Sequence, residues 1–336
     1  GDLRKPLLGL KKKSLNELKG RIKHFCHFAA IYDLSADADS QIAVNIEGTR
    51  NAVALAEALD AGCFQHVSSI AAGGLYPGVF REDMFDEAEN VSHPYFATKH
   101  DSEGVVRNEC KVPWRIYRPA MVVGDSKTGV IDKIDGVYYF FKALQKLRNA
   151  LPPWVPLIGI EGGKFNVVPV DYVVDAMDHI VHKKSLDGQC FHLTDTEHHS
   201  MGNLINIFAT AGHTPRFSMR LDTRMFGFIP RVVRETIAGL PPVKRMTRTV
   251  LDDLGLPESI TMFVNYPTRY DNRDAERALK GSGISCPPLE DYAAVIWDYW
   301  ERNLDPDLFL DHSLEGNIGG KTVLITGASS GIGKAT

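Results

Sequence analysis

From Ile22 onward the apolar positions switch between two periods. Ile22–Ile31 is a short apolar run ending in Ala29 and Ala30, and Ala43–Leu59 sets Val44, Ala52, Leu55 and Leu59 on or near one helical face. Cys63–Val67 reads as the next strand, Tyr95–Cys110 as a helix, and Trp114–Tyr117 as a strand opened by Pro113. Strand and helix alternating at this spacing predict a parallel sheet with helices on its faces. Ligands of such sheets sit beyond the carboxyl ends of the strands, so chemistry is expected just after Phe28, Val67 and Tyr117.

Beyond Gly124 the pattern loosens into the aromatic run Val137–Phe141 and the Pro-rich Leu151–Trp154. Phe165–Val170 returns as a strand, Asp171–His182 as a helix capped by Asp171, and Cys190–Leu193 as a strand. The remainder, to about Asp311, reads as mostly helical. The expected architecture is α/β: a Rossmann-like doubly wound parallel sheet with a smaller, mostly helical substrate cap. Residues 1–124 and 165–195 would form a partial dinucleotide-binding core, 125–164 and 196–312 the cap, and 313–336 a linker with a new beginning. There Lys321–Ile325 has a buried-strand pattern running into Thr326–Gly333, where Gly327, Gly331 and Gly333 permit a tight strand-to-helix turn. Such a turn lets backbone N–H groups approach a diphosphate. With neither Met nor signal sequence at Gly1, the chain reads as a piece of something longer.

Composition narrows the partners. At 336 residues, 44% hydrophobic, with net charge -4, the chain can bury a sizeable core but has no global basic field, so no nucleic-acid partner is expected. Lys11–Lys13 reads as solvated. Five scattered cysteines without a Cys-x-x-Cys pair predict reduced thiols in a cytoplasmic protein. No apolar stretch is long enough for a membrane span. His192, His198 and His199 lack partners at metal spacing and read as packed or solvent-facing, so no metal is expected. Glu82, Asp83, Asp86, Glu87 and Glu89 read as a solvated helix face.

One pair stands out chemically. Tyr95 and Lys99 lie one turn apart on a helix, and a neighbouring cation favours the phenolate, so the phenol could exchange a proton nearer neutral pH. The same spacing recurs at Tyr138 and Lys142, within an aromatic stripe that reads as packing. Ser69, just past the Cys63–Val67 strand, could orient a substrate oxygen beside Tyr95. Ser68 is equally suited to cap the turn, and only the Tyr–Lys pair downstream favours Ser69 as the reactive one.

Together Asp2-Leu3 at a strand end, His27–Ala30, Asn45–Asn51, Val67–Ser69, Tyr95-x-x-x-Lys99 and Arg118-Pro119 resemble an extended short-chain dehydrogenase/reductase. The final Thr326–Gly333 is similar to the opening of a classical one, and the tandem resembles the two-module bacterial fatty acyl-CoA reductases. The resemblance implies Ser69, Tyr95 and Lys99 as the catalytic group. It puts Asp2 and Leu3 beside the adenine, Ala29 and Ala30 at the ribose-nicotinamide side, Asn45 in support, and Tyr117 and Pro119 near the nicotinamide. It also implies NADP(H) as cofactor and reduction of a long-chain acyl-CoA or aldehyde, this module handling the aldehyde. The extended module's own first strand and glycine turn would precede Gly1, and the residues that distinguish NAD from NADP with them. On the same scaffold a hydroxysteroid dehydrogenase, a sugar-nucleotide epimerase or dehydratase, or a non-catalytic NAD(P)-sensing module stay open, as does a homo-oligomer.

Overall fold

The computed structural model describes residues 1–31, 37–132, 134–222 and 266–310, together with 313, 319, 320 and 322. Four strands, β1 (His24–His27), β2 (Cys63–Val67), β4 (Trp114–Pro119) and β8 (Gln189–Leu193), form one sheet in the order β1-β2-β4-β8. Every pairing is parallel, with His27 opposite His66, Val67 opposite Tyr117 and Pro119 opposite Leu193. The strands β3 (Val79–Phe80), β5 (Met121–Val123), β6 (Leu157–Glu161), β7 (Val167–Pro169), β9 (Phe217–Asp222) and β10 (Arg269–Tyr270) make three parallel pairs outside it, β3 with β10, β5 with β7 and β6 with β9.

Alternate residues of each strand go to opposite faces, and this decides which helix covers what. Phe64 of β2 and Ile116 of β4 pack against Ala52, Val53 and Ala56 of α3 (Gly48–Ala58) and Val105 and Val106 of α4 (Pro94–Glu109). On the other face Tyr117 and Phe191 meet Val173, Ala176 and Ile180 of α6 (Val170–His182) and Ala275 and Ala278 of α8 (Arg273–Leu279). Helices on both faces make this the doubly wound α/β arrangement that the strand and helix alternation predicts. A separate aromatic core joins α5 (Tyr139–Ala150), α7 (Met201–Ala211) and α9 (Leu289–Asn303) through Phe141, Phe208, Trp297 and Trp300. Gly212 ends α7 where a Cβ would come within 2.5 Å of the Trp297 ring, so the close helix contact depends on a missing side chain.

Several elements differ from the expected ones. The first strand is only His24–His27, because Phe28 turns out to solvent and the chain leaves the ladder. The single helix expected over Ala43–Leu59 is three pieces: α2 (Ala38–Gln41), a π-helical turn Ile42–Glu47, and α3. Inside that turn Asn45 spends its side chain on a loop, and Thr49 draws the Asn45 carbonyl at 2.6 Å, which favours the irregular ladder. Asp171 does not cap α6, whose cap position is Pro169; its carboxylate instead takes the backbone N–H and hydroxyl of Ser126. Asp2 and Leu3 sit in a turn, not at a strand end. The acidic group forms no helix. Glu82 is buried and accepts from the backbone N–H groups of His192, Asp274 and Ala275, joining β8 to α8. Helix-face logic misses this, since a carboxylate satisfied by three backbone donors has no periodic signature.

Candidate active site

Two elements deliver the expected trio. At the carboxyl end of β2 the chain turns at Ser69, whose extended backbone caps a short 3-10 turn (Ile70–Gly73), its Oγ accepting from Ala71 N at 3.1 Å. Helix α4 begins at Pro94, with the His93 ring accepting from Tyr95 N. The Tyr95 hydroxyl donates to Ser69 Oγ at 3.4 Å, so the two residues converge on one side of the sheet. The Ser68 hydroxyl is committed: buried, it donates to Glu103 Oε2 at 2.8 Å. Geometry therefore separates two serines that sequence could not. Ser69 Oγ accepts twice, and among the described residues no acceptor takes its proton.

Lys99, one turn after Tyr95, is 5% exposed and borders the same cavity. Among the described residues nothing accepts a hydrogen bond from its ammonium. Burial pulls its pKa down to about 8, with the Glu103 carboxylate opposing. Tyr95 corrects the expectation of an easily ionised phenol. Burial raises its pKa above the ordinary value, the Ser69 hydrogen bond opposes, and the Asp135 charge adds to the rise. The desolvation of the phenolate outweighs the Ser69 hydrogen bond.

The cavity measures about 930 Å³. It is lined by Val67–Ile70, Tyr95 and Lys99, by Pro119–Val123, and by Val130, Ile131, Ile134, Val137 and Phe140 interspersed with Asp125, Thr128, Asp132 and Asp135, with Lys164 and Asn166 beside them. Ala30 and Phe28 border it from the loop after β1. Asn45 stays behind that loop, closing both backbone groups of Ile31 and reaching Thr98 Oγ1 of α4 at 3.2 Å. Tyr117 turns away from the cavity: its ring lies in the sheet core, its hydroxyl donating to Gln65 Oε1 at 2.7 Å. Asp2 pairs with Arg4, and Leu3 supplies a carbonyl to Asn51; neither borders the cavity, nor does Ala29. Gly327, Gly331 and Gly333 lie outside the described residues. Tyr138 is buried with its hydroxyl on Gly124 N, and Lys142 pairs with Asp305 and Asp307, so the second Tyr–Lys pair is packing.

Around the trio lies polar machinery that sequence reasoning missed. Glu103, fully buried, holds Arg118 through two nitrogens at 3.0 and 2.6 Å and Arg107 at 2.8 Å. Burial alone would raise its pKa, but these guanidiniums hold the carboxyl down to about 2. His192 bridges Arg118 and the Asp271 carbonyl, and His198 accepts from Tyr270 N, so both histidines are structural. Charged residues on a helix read as solvent-facing. The signal available was their spacing, with Glu103 and Arg107 continuing the four-residue step of Tyr95 and Lys99.

The residues present fit the nicotinamide-ribose end of a dinucleotide: a buried ammonium with no acceptor among the described residues borders the cavity, and the small Ala30 borders it from the adjoining loop. Residues 1–177 match the family described as male sterility protein, and the chain belongs to this NAD(P)-binding family of extended short-chain dehydrogenases/reductases. It is 25% identical to the non-canonical nonribosomal peptide synthetase hkm10 of Aspergillus hancockii, over 91% of this chain and 30% of that protein. It is 24% identical to the glycine betaine reductase ATRR of Emericella nidulans, over 100% of this chain and 26% of that protein. The chain thus spans less than a third of these relatives. The terminal R domain from the myxalamid PKS-NRPS biosynthetic pathway has the same fold, with TM-score 0.66 and 24% identity over 90% of this chain and 74% of that one. These relatives are peptide-synthetase and reductase proteins. The extended short-chain dehydrogenase/reductase family is thus shown, whereas the expected likeness to two-module fatty acyl-CoA reductases is not.

Proposed function

We propose that this chain is the core of an NAD(P)H-dependent reductase acting on the carbonyl of a thioester or aldehyde carried on an apolar chain, with NADPH as the reductant. The observation that carries the reading is the convergence of Ser69, Tyr95 and Lys99 on one cavity whose lining includes a run of aliphatic and aromatic side chains. When bound, the dinucleotide supplies a hydride equivalent. Lys99 and Ala30 would hold its nicotinamide end, with Pro119 beside it.

The Ser69 proton orients the carbonyl oxygen. Tyr95, kept protonated at neutral pH by burial, donates its proton to that oxygen as negative charge develops there. A thioester reduced this way yields an aldehyde and a free thiol; an aldehyde yields an alcohol. The relatives' names, among them an aldehyde reductase, support carbonyl reduction on carrier-bound or free substrates. The apolar side chains of the lining support a long-chain acyl-CoA or fatty aldehyde, with the aldehyde as this module's substrate. Oxidation of NADPH by the full-length protein, with long-chain acyl-CoA, long-chain aldehyde and an aminoacyl thioester offered separately, tests it. Carbonyl-dependent oxidation that Tyr95→Phe abolishes supports the reading, and absence of oxidation with all three overturns it.

A further inference from the structure

We propose that Glu103 is the positioning residue of this site, fixing the serine corner against α4 and the end of β4. The inference rests on the reading of Ser69, Tyr95 and Lys99 just given. Tyr95, Lys99, Glu103 and Arg107 recur at every fourth residue along one face of α4. The first two face the cavity; the third is sealed from solvent.

One Glu103 carboxylate joins three elements. It sits on α4, grips Arg118 at the end of β4, and accepts from Ser68, the residue immediately before Ser69. The separation of Ser69 Oγ and Tyr95 Oη is therefore set by a rigid tie one residue from the serine and two turns from the tyrosine. Small misplacements of reacting groups cost large factors in rate, which gives such a tie a catalytic consequence.

Its second effect is electrostatic. Three titratable side chains share an electrostatic influence with Lys99: Glu103 on its own helix, His27 on β1 and His66 on β2. Burial keeps both histidines neutral, His27 at about 4 and His66 well below its ordinary value, and Lys99 lowers them further. Among the described residues Glu103 is thus the formal charge that resists deprotonation of Lys99. A buried ion pair alone is weak evidence of purpose. Here the carboxylate also holds the residue next to Ser69, which a pair serving only Arg118 would not need.

The test is the pH dependence of kcat and kcat/KM for a long-chain aldehyde with NADPH, from neutral to alkaline pH, in the full-length protein. The parent's kcat should fall as Lys99 deprotonates near its lowered pKa of about 8. In Glu103→Gln that fall should move acidward by about one pH unit or more. Ser68→Ala should leave the fall in place and lower kcat about tenfold with KM little changed. If Glu103→Gln does not fold, because two guanidiniums lose their anion, Glu103→Gln combined with Arg118→Met removes one stranded charge and carries the same expectation. An unmoved pH profile in a variant whose circular dichroism is native, or full kcat in Ser68→Ala, overturns the proposal. Tyr95→Phe in the same assay separates the two readings: retained activity there defeats the proposed chemistry itself, whereas loss of activity with an unmoved Glu103→Gln profile defeats the positioning role alone.

Discussion

Asn45 closes both backbone groups of Ile31, its Oδ1 accepting from Ile31 N at 2.7 Å and its Nδ2 donating to Ile31 O at 2.8 Å. The clamp holds the loop that carries Ala30 into the cavity, and the π-helical turn around Asn45 is the backbone geometry that aims the amide there. Asn45→Ala should leave the Ile31 amide without its partner and lower stability by about 1–3 kcal/mol. The KM for NADPH should rise more than kcat falls, since the loop and not the trio is loosened. Chemical denaturation and initial rates check the two parts.

Removing the Tyr95 hydroxyl should cost far more than its packing. Tyr95→Phe keeps the ring and deletes the proton donor, so kcat should fall by about 10²–10⁴-fold with the fold intact. Ser69→Ala should also fall in kcat, since the carbonyl loses its orienting proton. Single-turnover rates with a long-chain aldehyde measure both, and a Tyr95→Phe enzyme within a few-fold of the parent would contradict the assignment.

Chain length should register in kcat/KM. Val130, Ile131, Ile134 and Phe140 line the cavity, and each substrate methylene they desolvate should contribute about 0.8 kcal/mol until the wall is filled. A profile flat from short to long aldehydes would show that this apolar surface serves only as core.

The stacked pair His27 and His66, with ring centroids 5.5 Å apart, should make the protein acid-labile. Burial, and then the Lys99 charge, lowers the His27 pKa from 6.5 to about 4. A histidine depressed in the folded state binds its proton more readily when unfolded, so stability is complete above the unfolded value and is lost as pH falls through the folded one. His66 adds to this, and neither of its ring nitrogens has a hydrogen-bond partner. His66→Leu should therefore raise the unfolding free energy by about 1–3 kcal/mol and flatten its decline below neutral pH. Urea denaturation as a function of pH reads both effects; equal slopes in parent and variant would refute the contribution.

Much of the scaffold is legible along the chain because its signals are local. The strand Cys63–Val67 falls where the apolar run places it, since a buried parallel strand has no polar alternation to blur its ends. Helix α4 lies one residue from its expected bounds, because Pro94 starts it and the Tyr95–Lys99 step is helical by itself. What depends on contacts distant in sequence was not readable. Ser68 and Ser69 both line the cavity, and it is Glu103, whose burial no helix pattern announces, that takes up the Ser68 hydroxyl. Asn45 bends its helix toward Ile31, and Glu82 leaves the surface to collect three backbone donors from β8 and α8. Tyr117 shares a strand with the cavity-lining Pro119 yet points into the core, a difference of face fixed only when the sheet acquires its covering helices. Hydrophobic period thus determined the elements and placed the Tyr–Lys pair on one helix. Tertiary packing decided which polar groups lose water, and with that their charge, their partners and their part in the site.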